Sequence, residues 1–279
     1  MTPDIVATLD RACTRHAVPN GNGDVIWRVW GKGPPLVLLH GGTGSWMHWI
    51  RNIEDLSRDY MLLAPDIPGS GESASPKLPT TAEAVGASLV DGVDAIVGRD
   101  RSFSIAAFSM GGLISGYTVK HARGRVECLV LIGSTGTTAP RAEMAPLKSW
   151  RRLPTDDAKK MAHRHNLGAL MFYDKDRIDD IAVYIQHHNA ERSRVRGKHV
   201  THTGDLSQSL AGFVGRLAGI WGEHDVTAVP YMAERKEKLE QFRPGATFDV
   251  MPGVGHWVQY EAADAFNALL RRRLAPRRS

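Results

Sequence analysis

The chain has 279 residues, 42% of them hydrophobic and 23% charged, the make-up of an ordinary soluble globular protein with room for one large core and an insertion. Part of its formal net charge of +5 sits in Arg271-Arg272-Arg273 and Arg277-Arg278; a short basic run without a recognition module reads as a solvated terminus, so no nucleic-acid partner is expected. Two cysteines are too few for a disulfide framework, and Met1 to His16 breaks its apolar residues with Asp4, Asp10 and Arg11, so neither a secretory signal nor a membrane span is expected and a cytoplasmic location is the default.

Apolar runs of strand length occur at Val25 to Trp30, Leu36 to Leu39, Met61 to Pro65, Phe103 to Phe108 and Val126 to Ile132. Several are almost continuously apolar, the mark of strands buried on both faces, and Cys128 within the last is expected to be a buried, inert thiol. Trp46 to Leu56, Ala82 to Val97 and Gly112 to His121 have helical spacing between them. From Thr137 to Gly204 no strand-like run appears; Pro140, Pro146 and Pro154 punctuate it, and helices are expected over Asp156 to His165 and Asp176 to Arg192. His163, His165, His187 and His188 lack the spacing of a ligand set and are expected on solvent-facing helix surfaces, so no metal is expected. The alternation resumes through Leu217 to Trp221, Tyr231 to Leu239 and Thr247 to Met251, ending in a helix from about Ala262 to Leu274. The expected fold is α/β, a mostly parallel twisted sheet flanked by helices, with 1–136 and 205–279 as core. Residues 137–204 are expected as a helical lid inserted after the sixth strand, over the sheet edge where ligands bind.

Ala107-Phe108-Ser109-Met110-Gly111-Gly112 follows an apolar run and precedes a helix, the setting in which a serine is held out of the backbone with its hydroxyl exposed. Such a serine needs a base, an orienter for that base and donors for the oxyanion formed when it attacks a carbonyl. His256, in Pro252-Gly253-Val254-Gly255-His256, and Asp225, in Trp221-Gly222-Glu223-His224-Asp225, each follow a strand, and the chain order is Ser, Asp, His. Glu223 is the competing acid. His40-Gly41-Gly42-Thr43-Gly44-Ser45 follows Leu36 to Leu39, so backbone N–H groups of Gly42 and Met110 are the expected oxyanion donors.

With Asp66-Ile67-Pro68-Gly69-Ser70-Gly71-Glu72-Ser73, which is similar to the D-x-P-G-x-G-x-S turn after a fourth strand, these ordered motifs resemble the α/β-hydrolase superfamily over nearly the whole chain. The family pattern favours Asp225 as the acid. Gly255-His256-Trp257-Val258-Gln259-Tyr260-Glu261, followed by Phe266-Asn267, is similar to the carboxyl end of the meta-cleavage-product hydrolases, which split a carbon–carbon bond in ring-fission dienones. Those enzymes carry asparagine where this chain has Phe108, a longer oxyanion loop, and a lid arginine where this chain has Tyr184 or Ile185, with Arg192, Arg194 and Arg196 further along. The resemblance therefore implies a carboxylic ester hydrolase using Ser109, His256 and Asp225, with carbon–carbon hydrolysis of a 2-hydroxy-6-oxo-dienoate as the alternative. Two other readings stay open: a catalytically silent ligand-binding scaffold, and the cofactor-free perhydrolase or haloperoxidase group with its similar elbow. Gly41, Phe108 and Trp257 are expected to line the substrate site, and Trp46, Trp49 and Trp150 are further candidates for an apolar wall or for core packing. No cofactor is implied, the partner is a small-molecule substrate rather than a membrane, and a homodimer is compatible with the sequence.

Overall fold

The computed structural model describes residues 2–76, 80–141, 143–194, 200 and 202–276. The apolar runs form a single eight-stranded sheet from β1 (Thr14–Pro19), β2 (Asp24–Trp30), β3 (Pro35–Leu39), β4 (Met61–Pro65), β5 (Phe103–Phe108), β6 (Val126–Ile132), β7 (Arg216–Gly222) and β8 (Thr247–Met251). The strand order is β1-β2-β4-β3-β5-β6-β7-β8, with β1, β2 and β4 paired antiparallel and the rest parallel. Successive residues of a strand point to opposite faces. Accordingly Leu36 and Leu38 enter one core with Phe108, Val130 and Ile132, while Val37 and Leu39 enter another with Ile105, Leu129 and Leu131. Burial on both sides explains why these strands are continuously apolar.

The helices are α1 (Asp4–Ala12), α2 (Ile53–Leu56), α3 (Ala82–Val97), α4 (Met110–His121), α5 (Asp156–Leu170), α6 (Asp180–Arg192), α7 (Leu206–Ser209), α8 (Met232–Phe242), α9 (Val258–Glu261) and α10 (Ala263–Leu274). Between β6 and β7 the described residues form α5, α6, α7 and a short 3-10 turn, Lys175–Arg177, and no strand. Thr81, Thr155 and Asp179 each accept a backbone N–H at the start of α3, α5 and α6, satisfying donors that a helix start leaves unpaired.

Several expectations need correction. Trp46 to Leu56 is not one helix: a 3-10 turn, Trp46–Trp49, precedes α2, and Asn52 between them turns its amide inward to Gln259 O and Asn267 Oδ1, both at 2.9 Å. The helix expected from Asp176 begins at Asp180, because Asp174 caps the 3-10 turn and Asp179 starts a separate helix. Helix α1 and strand β1 were not expected, since β1 is a partly exposed edge strand without an apolar run. His163 and His187 do not face solvent. His163 has no exposed surface; its ring lies 4.9 Å from Trp150 and 5.5 Å from His187, in the seam where α5 meets α6 and the chain before α5 covers both. Cys128 is buried as expected, and burial pushes its thiol up to about 11.

Helix α3 crosses the sheet at Gly92, where an added Cβ lies 2.2 Å from Trp27 Cζ2. Gly92→Ala is therefore expected to destabilise by about 1–3 kcal/mol through overpacking, read as a lower urea midpoint with an unchanged slope.

Candidate active site

Parallel strands end at the same edge, and the register Phe108↔Ile132, Ile132↔Ile220 and Gly222↔Met251 aligns the carboxyl ends of β5 to β8. Ser109 follows β5 directly, at φ 53 and ψ −115, a conformation costly for a non-glycine residue. Neighbouring backbone holds it there: Ser109 N–H donates to Ile132 O at 2.8 Å, and Ser109 O accepts from Gly112 and Thr135 N–H groups. Two residues on, the turn needs glycine, because a Cβ on Gly111 lies 2.6 Å from His40 O.

His256, on the loop after β8, has Nε2 3.1 Å from Ser109 Oγ and Nδ1 2.8 Å from Asp225 Oδ2. With the ring proton on Nδ1 donated to the carboxylate, the Nε2 lone pair accepts the serine O–H. Asp225 follows β7 and is fully buried. Burial pushes its carboxyl up, but the attraction of His256 and hydrogen bonds from His256 and Thr227 outweigh it and hold the group below the ordinary value. Glu223 is not on the imidazole: it accepts Gly253 N–H at 2.9 Å and lies 3.5 Å from His224.

The loop after β3 closes the other side of the serine. His40 is buried, and burial lowers its pKa; Nδ1 donates to Gly41 O and Nε2 accepts Ile67 N–H, both at 2.8 Å, so the neutral ring bolts this loop to the Asp66–Ser73 turn. Asp66 adds a second bolt, its Oδ1 accepting Trp46 N–H at 3.0 Å, and is itself met by buried Arg28. That turn is thus a brace for the loop. Gly41 N–H is used internally, donating to His48 Nδ1 at 3.2 Å. Among the described residues, the N–H groups of Gly42 and Met110 donate to no protein acceptor, and a Cβ on Gly42 lies 3.8 Å from Met110 Sδ, so the two backbone segments are neighbours.

The aromatic expectations divide. Phe108 is almost fully buried with its ring 4.9 Å from that of His256, so it backs the imidazole. Trp257 has no exposed surface and donates Nε1–H to His48 O at 3.0 Å; Trp46 and Trp49 are likewise buried in the core. Trp150 lines a cavity that also touches Gly42. Ile185 is buried, Tyr184 lies in a separate groove beside Pro3, and Arg192 points to His188. Arg194 donates to the carbonyls of Gly71 and Ser73, and Arg196 lies outside the described residues.

Sequence reasoning missed three groups. Thr227 donates N–H and Oγ–H to Asp225 Oδ1 at 2.8 and 2.7 Å; an acid followed two residues later by threonine is the local signal for such a turn. Glu261 accepts N–H groups of Gly255, Asp174 and Tyr173, fixing the His256 loop against the chain after α5. His48 is buried beside Phe108 and Trp257; burial first, then repulsion from His40 and His256, holds it neutral. Asp156, His187 and Glu191 approach one another closely enough to hold a cation, but Lys159 Nζ, 3.7 Å from Asp156 and 3.4 Å from Glu191, supplies the positive charge there. A surface groove between α3 and α4, near Asp91 and Arg125, has neither Ser109 nor His256 in its lining.

The model of the alpha/beta hydrolase family matches residues 36–269. This chain belongs to that family. The hydrolase is 27% identical over 253 residues to the 2-hydroxy-6-oxo-6-phenylhexa-2,4-dienoate hydrolase of Burkholderia cepacia, covering 86% of this chain and 87% of that one. Among solved structures it resembles an esterase from Rhodococcus sp. ECU1013, with a TM-score of 0.75 at 20% identity over 94% of this chain and 98% of the other. It also resembles naproxen esterase from Bacillus subtilis, with a TM-score of 0.73 at 19% identity over 98% and 99%. These structural likenesses carry the fold.

Two outcomes follow for the hydrolase. Thr227→Val keeps the shape but strips a donor from the buried Asp225 carboxylate; the rate of covalent modification of Ser109 by a fluorophosphonate is expected to fall about tenfold. Burial, with His187 second, pushes His163 down to about 4, whereas an unfolded histidine takes its proton near 6.5. Stability therefore falls as the pH drops from 6.5 towards 4, and His163→Phe is expected to flatten that decline, measured as urea midpoints at neutral and mildly acid pH.

Proposed function

We propose that the protein is a serine hydrolase that cleaves a small carboxylic ester through an acyl-enzyme on Ser109. The observation that carries this reading is the continuous hydrogen-bonded path from Ser109 Oγ through His256 to Asp225. His256 takes the hydroxyl proton on Nε2 as Oγ attacks the ester carbonyl, and Asp225 steadies the imidazolium that forms. The N–H groups of Gly42 and Met110 receive the oxyanion, and loss of one such donor typically costs about 10²- to 10³-fold in rate. His256 returns the proton to the departing alcohol, and a water deprotonated by the same nitrogen then releases the acid. Residues 137–204 act as a lid over this edge.

Carbon–carbon hydrolysis of a dienoate is the second reading, favoured by the Burkholderia cepacia relative that matches along most of both chains. Against it stand apolar Phe108 directly before the nucleophile and the absence of arginine at Tyr184 and Ile185. A silent scaffold would have no need of an aligned path from hydroxyl to carboxylate.

Comparing p-nitrophenyl esters of short acids with a 2-hydroxy-6-oxo-dienoate is the deciding assay. Ester turnover is expected to dominate, and Ser109→Ala and His256→Ala are each expected to lower kcat by about 10⁴-fold or more. Fast dienoate cleavage with negligible esterase activity overturns the first reading; an unlabelled Ser109 in the presence of a fluorophosphonate overturns both.

A further inference from the structure

Beside the oxyanion loop lies a cavity of about 360 Å³, with Gly42 and Thr43 on one wall and α5 with the chain before it on the other. Its lining adjoins the residues around the site at two points. Gly42 is the neighbour of Met110, and Met171, also in the lining, accepts Trp257 N–H at 2.8 Å, one residue after His256. The lining contains two cations, Lys148 and Arg151, and no carboxylate. Among the described residues neither cation makes an ion pair; Arg151 rests on the face of Trp150, 4.7 Å from the ring centre. Arg271, with Asp55 and Asp59, and Arg164, with Asp180, are by contrast paired.

Two further observations mark the cavity as built. Asn166 holds the Lys148 backbone in a two-way clasp, Lys148 N–H to Oδ1 at 2.7 Å and Nδ2–H to Lys148 O at 2.9 Å, so the chain carrying the cations is fixed to α5. His163 lies beneath Trp150 in the same lining with no exposed surface, and neither ring nitrogen has a partner. Both nitrogens of this buried imidazole are left without a partner, which a polar group reaching either one would supply. In its neutral form the ring offers one N–H.

We infer that this cavity binds an anionic group, a carboxylate borne by the substrate at the end remote from the ester carbonyl, held by Lys148 and Arg151 with His163 below. This rests on the ester-hydrolase reading for the position of the reacting carbonyl and narrows it to half-esters of dicarboxylic acids or their like. Two cations with no competing carboxylate give the mouth a positive potential that attracts such a substrate and repels a cationic one.

The test uses the Ser109→Ala protein, which retains the ester intact, and compares binding of p-nitrophenyl hemiglutarate with its neutral counterpart p-nitrophenyl valerate by calorimetry. The anionic ester is expected to bind at least about tenfold more tightly at low salt, with the ratio falling as salt is added. Adding Lys148→Gln and Arg151→Gln together, both at exposed positions, is expected to bring the ratio close to one. His163→Phe, which keeps a ring under Trp150, is expected to weaken the anionic ester more than the neutral one. Equal affinities, no measurable binding of the anion, or a preference that survives the double substitution overturns the inference. Turnover by the unmutated protein is read separately: failure to hydrolyse either ester, with the binding preference intact, removes the esterase reading and leaves the anion site standing.

Discussion

A sheet buried on both faces has no free surface along its strands, so any chemistry it offers must be assembled where the strands stop. Here β3, β5 and β6 are sealed between two cores, and each polar group of the site lies within a few residues of a strand's carboxyl end: His40 after β3, Ser109 after β5, Asp225 after β7 and His256 after β8. The parallel register brings those ends together without any further device. What remains is precision, which comes from buried hydrogen bonds that leave each side chain one choice of orientation.

Three buried histidines show how that choice is made. His40 donates from Nδ1 and accepts at Nε2, His48 accepts at Nδ1, and His256 donates from Nδ1 to a carboxylate. A neutral imidazole has one proton, so each partner fixes the tautomer and with it the role of the second nitrogen. Only His256 has a second nitrogen facing a hydroxyl. The surrounding rings of Phe108 and Trp257 exclude water from these contacts and make each electrostatic preference stronger.

The central strands were legible because continuous apolar runs have one physical meaning in an α/β chain, and Ser109, Asp225 and His256 were legible because each ends such a run. Both Glu223 and Asp225 follow the same strand, so only the resemblance to the family favoured Asp225, and it is Asp225 that lies on the imidazole. The edge strand Thr14–Pro19 was hidden by its exposure. His163 and His187 were misread because a polar residue on a helix reads as solvent-facing unless the partner helix is known, and nothing in the sequence places α5 against α6. His48 and Thr227 were invisible for a related reason: their importance lies in what they touch, not in what they are.

The insertion between β6 and β7 is tied to the oxyanion side at two separate points. Ser45, which caps the Trp46–Trp49 turn, donates to Asn189 of α6 at 2.8 Å, and Arg194 just beyond α6 grips the carbonyls of Gly71 and Ser73 in the turn that braces His40. The helix α6 is therefore part of the scaffold that holds the loop after β3. A change in α6 therefore reaches the loop after β3 and its brace directly, through Ser45 and Arg194.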